Sequence, residues 1–365
     1  MKAKAVIGLG FGDEGKGLVT SYLCSTSKKP LVVRFNGGHQ AGHTVTEDFV
    51  HTFSNFGSGS LDGHPTYWSR FCTVEPEGLL REFAILDKKG VTPVLYIDKE
   101  CPITTPYDIL HNRVLHSFDK ISTVGVGFGA TLEREENFFS LKARDLMYPT
   151  VLKLKLKLIE EKYYKLMPNE TVKISKFLNA CNAILKIGSI KIVNNIDEIP
   201  DIYSYNLIFE GAQGTLLDQH YGFFPYVTRS NTTSKNIFEL LEKDFNDIWS
   251  FTDIYYVTRS YLTKHSNLKL RMSSSNKYKY EMEHNRNNKH QGSFTTGVLK
   301  KDLFEYAIEC NFQEIYGKII NKNLVITHCD VFNLSRKFSR YFGEMDYVFK
   351  SYGPNKKDIK QVYVP

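Results

Sequence analysis

The stretch Lys4-Ala5-Val6-Ile7-Gly8-Leu9-Gly10-Phe11-Gly12-Asp13-Glu14-Gly15-Lys16-Gly17 constrains this chain more than any other. An apolar, β-compatible run enters a glycine-rich turn, and a helix-compatible segment from Leu18 to Cys24 follows it. Gly10, Gly15 and Lys16 have the G-x-x-x-x-G-K spacing of a phosphate-binding loop, in which glycines let backbone N–H groups and a helix N-terminus approach an anion. The Ser or Thr that usually follows the lysine is absent, and Gly17 has no hydroxyl to offer a Mg²⁺ ion. Asp13 lies inside the loop, where a carboxylate meets phosphate repulsion unless it binds metal or takes up a proton. Glycines after a first strand can also merely make a tight βα turn, so the rest of the chain has to decide between the two readings.

A second β-like run, Pro30 to Phe35, leads into Asn36-Gly37-Gly38-His39-Gln40-Ala41-Gly42-His43-Thr44-Val45, again glycine-rich and carrying two histidines. His51 to Gly59 is turn-rich, Pro65 to Val74 reads as a strand, Pro76 to Leu86 as a helix, and Val94 to Ile97 as another strand. This βαβ rhythm argues for an α/β fold with a mainly parallel central sheet flanked by helices, whose ligands gather at the carboxyl ends of the strands. A third glycine-rich turn spans Ser122 to Ala130. Lys142 to Lys165 is Leu/Lys-rich and reads as a solvated amphipathic pair of helices. Leu207-Ile208-Phe209-Glu210-Gly211-Ala212-Gln213-Gly214 is a strand that ends in a tight polar turn, and Leu324 to Asp330 is a further strand and turn. The basic, polar interval from Thr263 to Gln291 reads as mobile active-site loops.

At 365 residues the chain is long enough for one large α/β domain with insertions, or for two domains sharing a cleft. No apolar run approaches the roughly 20 residues of a membrane span, and Met1-Lys2-Ala3 leads directly into the first strand, so a cytoplasmic protein is expected. The six cysteines show no C-x-x-C spacing, which favours reduced structural thiols over zinc or disulfides. A net charge of +7 suits a protein that draws anionic substrates. Without an RNA-binding signature or basic tail, neither nucleic acid nor a membrane is expected as a partner.

The two first loops resemble those of the adenylosuccinate synthetase family, whose signature is G-D-E-G-K-G followed by G-G-x-N-A-G-H-T; Gln40 stands where that family has asparagine. Further matches follow in order: the Ser122 to Ala130 turn to the family's phosphate-contacting T-T-G-R-G-I-G-P segment, with Val124 in place of the second threonine, Glu210 to Asp218 with Thr228 beyond it, Thr327-His328-Cys329-Asp330 to a T-K-x-D turn, and Ser351-Tyr352-Gly353-Pro354-Asn355 to a terminal S-T-G-P-D loop. The resemblance implies a single P-loop-NTPase-like domain over residues 1–365, with a helical insertion around 142–200 and a mobile loop region around 263–296. It also implies a homodimer.

By the same resemblance the chain is a C–N bond-forming ligase. Asp13 is the base and a Mg²⁺ ligand together with the Gly42 carbonyl, His43 donates a hydrogen bond or proton to the migrating phosphoryl group, and Lys16 neutralises its charge. Gly12, Glu14, Gly15, Gly17, Gln40, Ser122, Thr123, Gly125, Gln213 and Thr228 bind nucleotide or phosphate. Arg134 is the nearest substitute for an arginine that the family's partner subunit supplies. Thr327, Asp330, Ser351, Gly353 and Pro354 surround the donor base. Where the family grips L-aspartate with an arginine-rich loop, this chain offers Arg286, Lys289 and His290 with Thr295 and Thr296, and Ser293 replaces an arginine that touches the ribose 2′-hydroxyl.

Within the family the replaced arginine loop, His328 in place of lysine, the shorter chain and the Tyr67-Trp68-Ser69-Arg70-Phe71-Cys72 segment look like the viral branch of 2-aminoadenylosuccinate synthetases. That branch joins L-aspartate to C6 of dGMP through a 6-phosphoryl intermediate with ATP or dATP as donor, giving N6-succino-2-amino-2′-deoxyadenylate for 2-aminoadenine DNA. Against the branch stands Asp13, which some of its members replace by serine and which suggests an intermediate form with mixed substrates; dGMP remains the expected substrate, and the alternative is an adenylosuccinate synthetase acting on IMP (or GMP) with GTP. A nucleotide switch or kinase without ligase activity would account for the first loop and Asp330 but not for His43 or the Glu210 segment.

Overall fold

The computed structural model describes residues 1–119, 123–137, 139–168, 170–265, 268, 270, 294–332 and 342–362. Strand β1 (Lys2–Gly8) is the apolar run before the first glycine loop, with Ala3, Ala5, Val6 and Ile7 fully buried. Burial on both faces of one strand requires a cover on each side of the sheet. Helix α1 (Lys16–Thr26) covers the side of Val6, packing with β2 (Pro30–Arg34) through Val19, Leu23 and Val32. Ala5 and Ile7 point to the other face, into the largest apolar cluster.

The chain continues through a hairpin of β3 (His43–Thr46) and β4 (Val50–Phe53), then β5 (Thr66–Trp68), α2 (Pro76–Lys88) and β6 (Leu95–Asp98). Pro76 takes the first helical position of α2, and the Glu75 carboxylate accepts from the N–H groups of Glu77 and Gly78. Next come α3 (Pro106–Asp119), α4 (Phe128–Glu136), α5 (Pro149–Leu166), α6 (Ser175–Ile184), β7 (Ile190–Val193) and β8 (Asn206–Glu210). They are followed by α7 (Lys235–Lys243), β9 (Ser250–Arg259), β10 (Leu262–His265), β11 (Phe294–Gly297), α8 (Lys301–Glu314), β12 (Asn321–Thr327), β13 (Tyr347–Ser351) and β14 (Ile359–Val362).

Ten strands form one sheet in the order β14-β13-β12-β9-β1-β8-β2-β5-β6-β7. Every neighbouring pair is parallel except β13 and β14 at one edge, the α/β architecture expected from the βαβ rhythm. Several local expectations change. Residues 142–165 hold a short 3-10 turn and then one helix, α5, not a pair, because Leu152, Leu156, Ile159 and Tyr163 anchor a single face in a core. The stretch expected as a helical insertion also returns to the sheet as β7. Only Thr66–Trp68 of the Pro65 to Val74 run is strand. Among the described residues no helix is long and apolar enough to cross a membrane.

Candidate active site

β12, β9, β1, β8 and β2 lie side by side, and the loops at their carboxyl ends close around a cavity of about 390 Å³. This is where an open parallel sheet collects ligands. The first loop supplies Gly12, Asp13, Gly15, Lys16 and Gly17; the second, Gln40, Gly42 and His43; the loop after β8, Gln213. Thr327, His328, Asp330, Gly353 and Pro354 line the same cavity.

The first loop is held by its own side chains. The Glu14 carboxylate is buried, accepting from the N–H groups of Gly10 at 2.9 Å and Gly12 at 2.8 Å. It also pairs with Lys16 Nζ at 2.5 Å, and Lys16 donates to the Gly12 carbonyl at 2.6 Å. Thr327 Oγ1 donates to the Glu14 carbonyl at 2.7 Å, tying the loop to the end of β12. Gly15 caps α1 with φ 93, a left-handed conformation that glycine adopts without penalty. At Gly17 the reason for glycine is space: a Cβ there would stand 3.0 Å from the His43 Cβ and 3.1 Å from Ser58 Oγ.

Asp13 Oδ2 is 3.4 Å from His265 Nε2, and Arg259 Nε donates to the Asp13 carbonyl at 2.5 Å. Burial raises the Asp13 carboxyl above its ordinary value, against the pull of His265 and Arg259. His43, which lines the same cavity, is buried, with Nδ1 3.3 Å from Glu210 Oε1. Burial, helped by the positive charges of Arg34 and Lys16, holds its imidazole well below the usual value and therefore neutral. Burial also raises the Glu210 carboxyl, while Arg34 and Ser58 oppose the rise.

The donor-base candidates form one end of the cavity. The Ser351 hydroxyl does not line it but donates to the Gly353 carbonyl at 2.7 Å, shaping the turn that does. His328 has φ 58, and its ring meets Tyr261 edge-on at 5.6 Å. Of the third glycine turn, Val124 reaches the cavity; Thr123 Oγ1 donates to Asn112 Oδ1 and the Gly125 carbonyl accepts from Arg113. Thr228 does not line the cavity; its N–H donates to Leu217 O at 2.7 Å within the loop after β8. Thr295 and Thr296 pair in β11 with Lys264 and Thr263 of β10, the strand that ends in His265.

Arg134 corrects the sequence reading. It is fully buried between α3 and α4, paired to Asp108 at 2.9 Å, and it donates further to Glu135 and to the carbonyls of Ile103 and Phe139. A guanidinium so engaged is structural and has no donor left for a phosphate. Ser122, Arg286, Lys289, His290 and Ser293 lie outside the described residues. The sequence reading gave no role to Arg259, His265 or Arg34; a lone arginine or histidine at a strand end carries no local pattern that marks it.

Among the described residues no three His, Cys, Asp or Glu side chains cluster as a metal cage. Mg²⁺ does not need one: it commonly takes one or two carboxylates and completes its shell with substrate phosphates and water. Asp13, with Gly42 lining the same cavity, fits that demand.

A family model described as adenylosuccinate synthetase matches residues 5–336. The chain is 36% identical over 247 residues to an adenylosuccinate synthetase of Pseudoalteromonas atlantica, covering 64% of this chain and 56% of that one. It is 33% identical over 284 residues to that of Clostridium botulinum, covering 72% and 64%. The matches thus span 56% and 64% of the length of these two curated relatives. Among solved structures, the fully ligated adenylosuccinate synthetase of Plasmodium falciparum shares the fold with a TM-score of 0.80 at 19% identity, over 100% of both chains. The cyanophage S-2L succinoaminodeoxyadenylate synthetase bound to dGMP and dATP as an energy donor does so with a TM-score of 0.67 at 13% identity, over 100% of this chain and 95% of that one.

Proposed function

Because the chain belongs to the adenylosuccinate synthetase family, we propose that it joins L-aspartate to C6 of a 6-oxopurine nucleotide, using a nucleoside triphosphate. The observation that carries this reading is that Asp13 and His43, from loops after different strands, line one cavity with Lys16. Asp13 takes the N1 proton of the purine, so that O6 becomes nucleophilic towards the γ-phosphoryl group. Lys16 and the N–H groups at the start of α1 balance the charge of the transferred group, and His43 meets it from the opposite loop. The amino group of aspartate then displaces phosphate from C6. Mg²⁺, when bound through Asp13, would supply charge neutralisation between donor and acceptor oxygens.

The finer reading is a preference for dGMP, with ATP or dATP as donor. His328 supports it: a neutral imidazole lines the donor end where lysine is the family residue, and burial together with Arg259 holds it well below its usual value. A second reading, IMP with GTP, is favoured by Asp330, whose carboxylate lines the same end and suits the N1 and N2 donors of guanine. The test supplies dGMP, GMP and IMP together with L-aspartate, Mg²⁺ and either ATP or GTP, and identifies the succinylated product by mass. Product from dGMP with ATP supports the finer reading; product from IMP alone, and only with GTP, overturns it. Absence of product from every nucleotide overturns the ligase reading itself. Asp13→Asn should lose O6 phosphorylation while keeping donor binding.

A further inference from the structure

Arg34, Glu210 and His43 form a line from the sheet interior to the cavity wall. Arg34 ends β2 and Glu210 ends β8, and the two residues are register partners in neighbouring strands, both fully buried. The Arg34 guanidinium makes no hydrogen bond among the described residues; Glu210 Oε2 lies 3.9 Å from it, and it sits over the Trp68 indole at 5.6 Å. The carboxylate accepts from the Ser58 N–H at 3.2 Å and from the Ser58 hydroxyl, and Oε1 also faces His43 Nδ1 at 3.3 Å.

We propose that Glu210, kept ionised by Arg34, is a positioning residue that fixes His43 as the Nδ1–H tautomer, so that Nε2 is the ring nitrogen presented to the bound phosphoryl group. The argument is one of charge and donors. A protonated Glu210 would leave Arg34 as a buried cation with no counter-charge, the arrangement that proteins tolerate least. An ionised Glu210 has no hydrogen to give, and a bare Nδ1 lone pair 3.3 Å from its Oε1 would be repelled, so the ring hydrogen sits on Nδ1. The His43 ring lines the cavity. Any proton that His43 gives to a ligand or takes from one therefore moves at Nε2, with Nδ1 held by Glu210. This is the arrangement by which a carboxylate behind a histidine sets which nitrogen works.

Glu210→Gln separates this role from simple structure. The amide oxygen can replace Oε2 towards Arg34 and the Ser58 N–H, which turns the NH₂ towards His43 and Ser58 Oγ. The substitution keeps shape and puts a donor where an acceptor faced Nδ1, driving His43 to the Nε2–H tautomer. The first measurement is the ¹⁵N spectrum of histidine-labelled full chain near neutral pH, with His43→Gln for assignment. The expected result is a protonated Nδ1 and an unprotonated Nε2 in the parent, exchanged in Glu210→Gln. A parent protonated at Nε2 overturns the proposal even if the variant does not fold, as does a variant whose tautomer is unchanged.

The second measurement is steady-state kinetics and rests on the ligase reading above. Glu210→Gln should lower kcat about 100-fold or more while each KM stays within about twofold. An exchanged tautomer with unchanged kcat overturns the catalytic part. If the parent shows no ligase activity, the ligase reading fails while the spectrum still decides the tautomer.

Discussion

A side chain at Gly17 has no free space, because its Cβ would lie 3.0 Å from the Cβ of His43. The ordinary phosphate loop carries a hydroxyl residue there, so Gly17→Ser, which restores the common motif, should do harm here. Overpacking of this kind costs about 1–3 kcal/mol and would push the second loop away from the first. Urea unfolding and turnover should both register the loss. A Gly17→Ser chain as stable and active as the parent would show that His43 and Ser58 yield without consequence.

Lys16→Met removes the cation from a pair whose side chains are 2% and 5% exposed. The remaining Glu14 carboxylate is then buried without a partner charge, at a cost of about 3–5 kcal/mol. Pairing the change with Glu14→Gln should recover much of the stability, since the amide oxygen still accepts from Gly10 and Gly12, but should not recover donor binding. A double-mutant cycle in stability, read beside nucleotide affinity, separates the two contributions. Additive stability losses would mean that the pair is not coupled.

His328 should make the protein acid-sensitive. Its folded value lies well below the unfolded value of about 6.5, so in the interval between them the unfolded chain binds more protons than the native one. Stability from this group is thus present above about pH 6.5 and lost as pH falls through that interval. Asp13 and Glu210 shift the other way, so only a comparison with a variant isolates the histidine. His328→Asn suits the left-handed backbone at φ 58 and should lose less Tm than the parent between about pH 7.5 and pH 5.5. Equal losses in the two proteins would refute the assignment.

Arg134→Met should unfold the protein before it affects nucleotide binding. Asp108 would keep its bonds from Thr105 and Tyr163 but lose its charge partner in a fully buried setting, a loss of about 3–5 kcal/mol. At a temperature where the variant remains folded, the nucleotide KM should match that of the parent. A KM raised tenfold or more with stability intact would return Arg134 to the phosphate.

What the sequence displayed was local. Glycine-rich turns at strand ends, proline at the start of α2 and short apolar runs are written in consecutive residues, so β1, β2, β6 and β8 and the loops after β1, β2 and β8 were legible. The relation of Glu210 to His43 was not, since it depends on β8 lying next to β2 in the sheet. β9 escaped notice as well: Thr, Asp and Arg interrupt its apolar run, yet it ends in Arg259, which holds the Asp13 carbonyl. Arg134 misled because its number in the chain suggested a neighbour of the third glycine turn, while α3 and α5 seal it in a core.

β1 is flanked in the finished sheet by β8 and β9, both of which come much later in the chain. During synthesis it waits for partners until β8 and β9 have been made, and only then can the phosphate loop behind it take shape. Contacts this distant along the chain make folding slow and leave apolar edges uncovered meanwhile. Nascent chains that stall before Arg259 should therefore be prey for chaperones and proteases, and the nucleotide should protect the protein only after synthesis has passed that point.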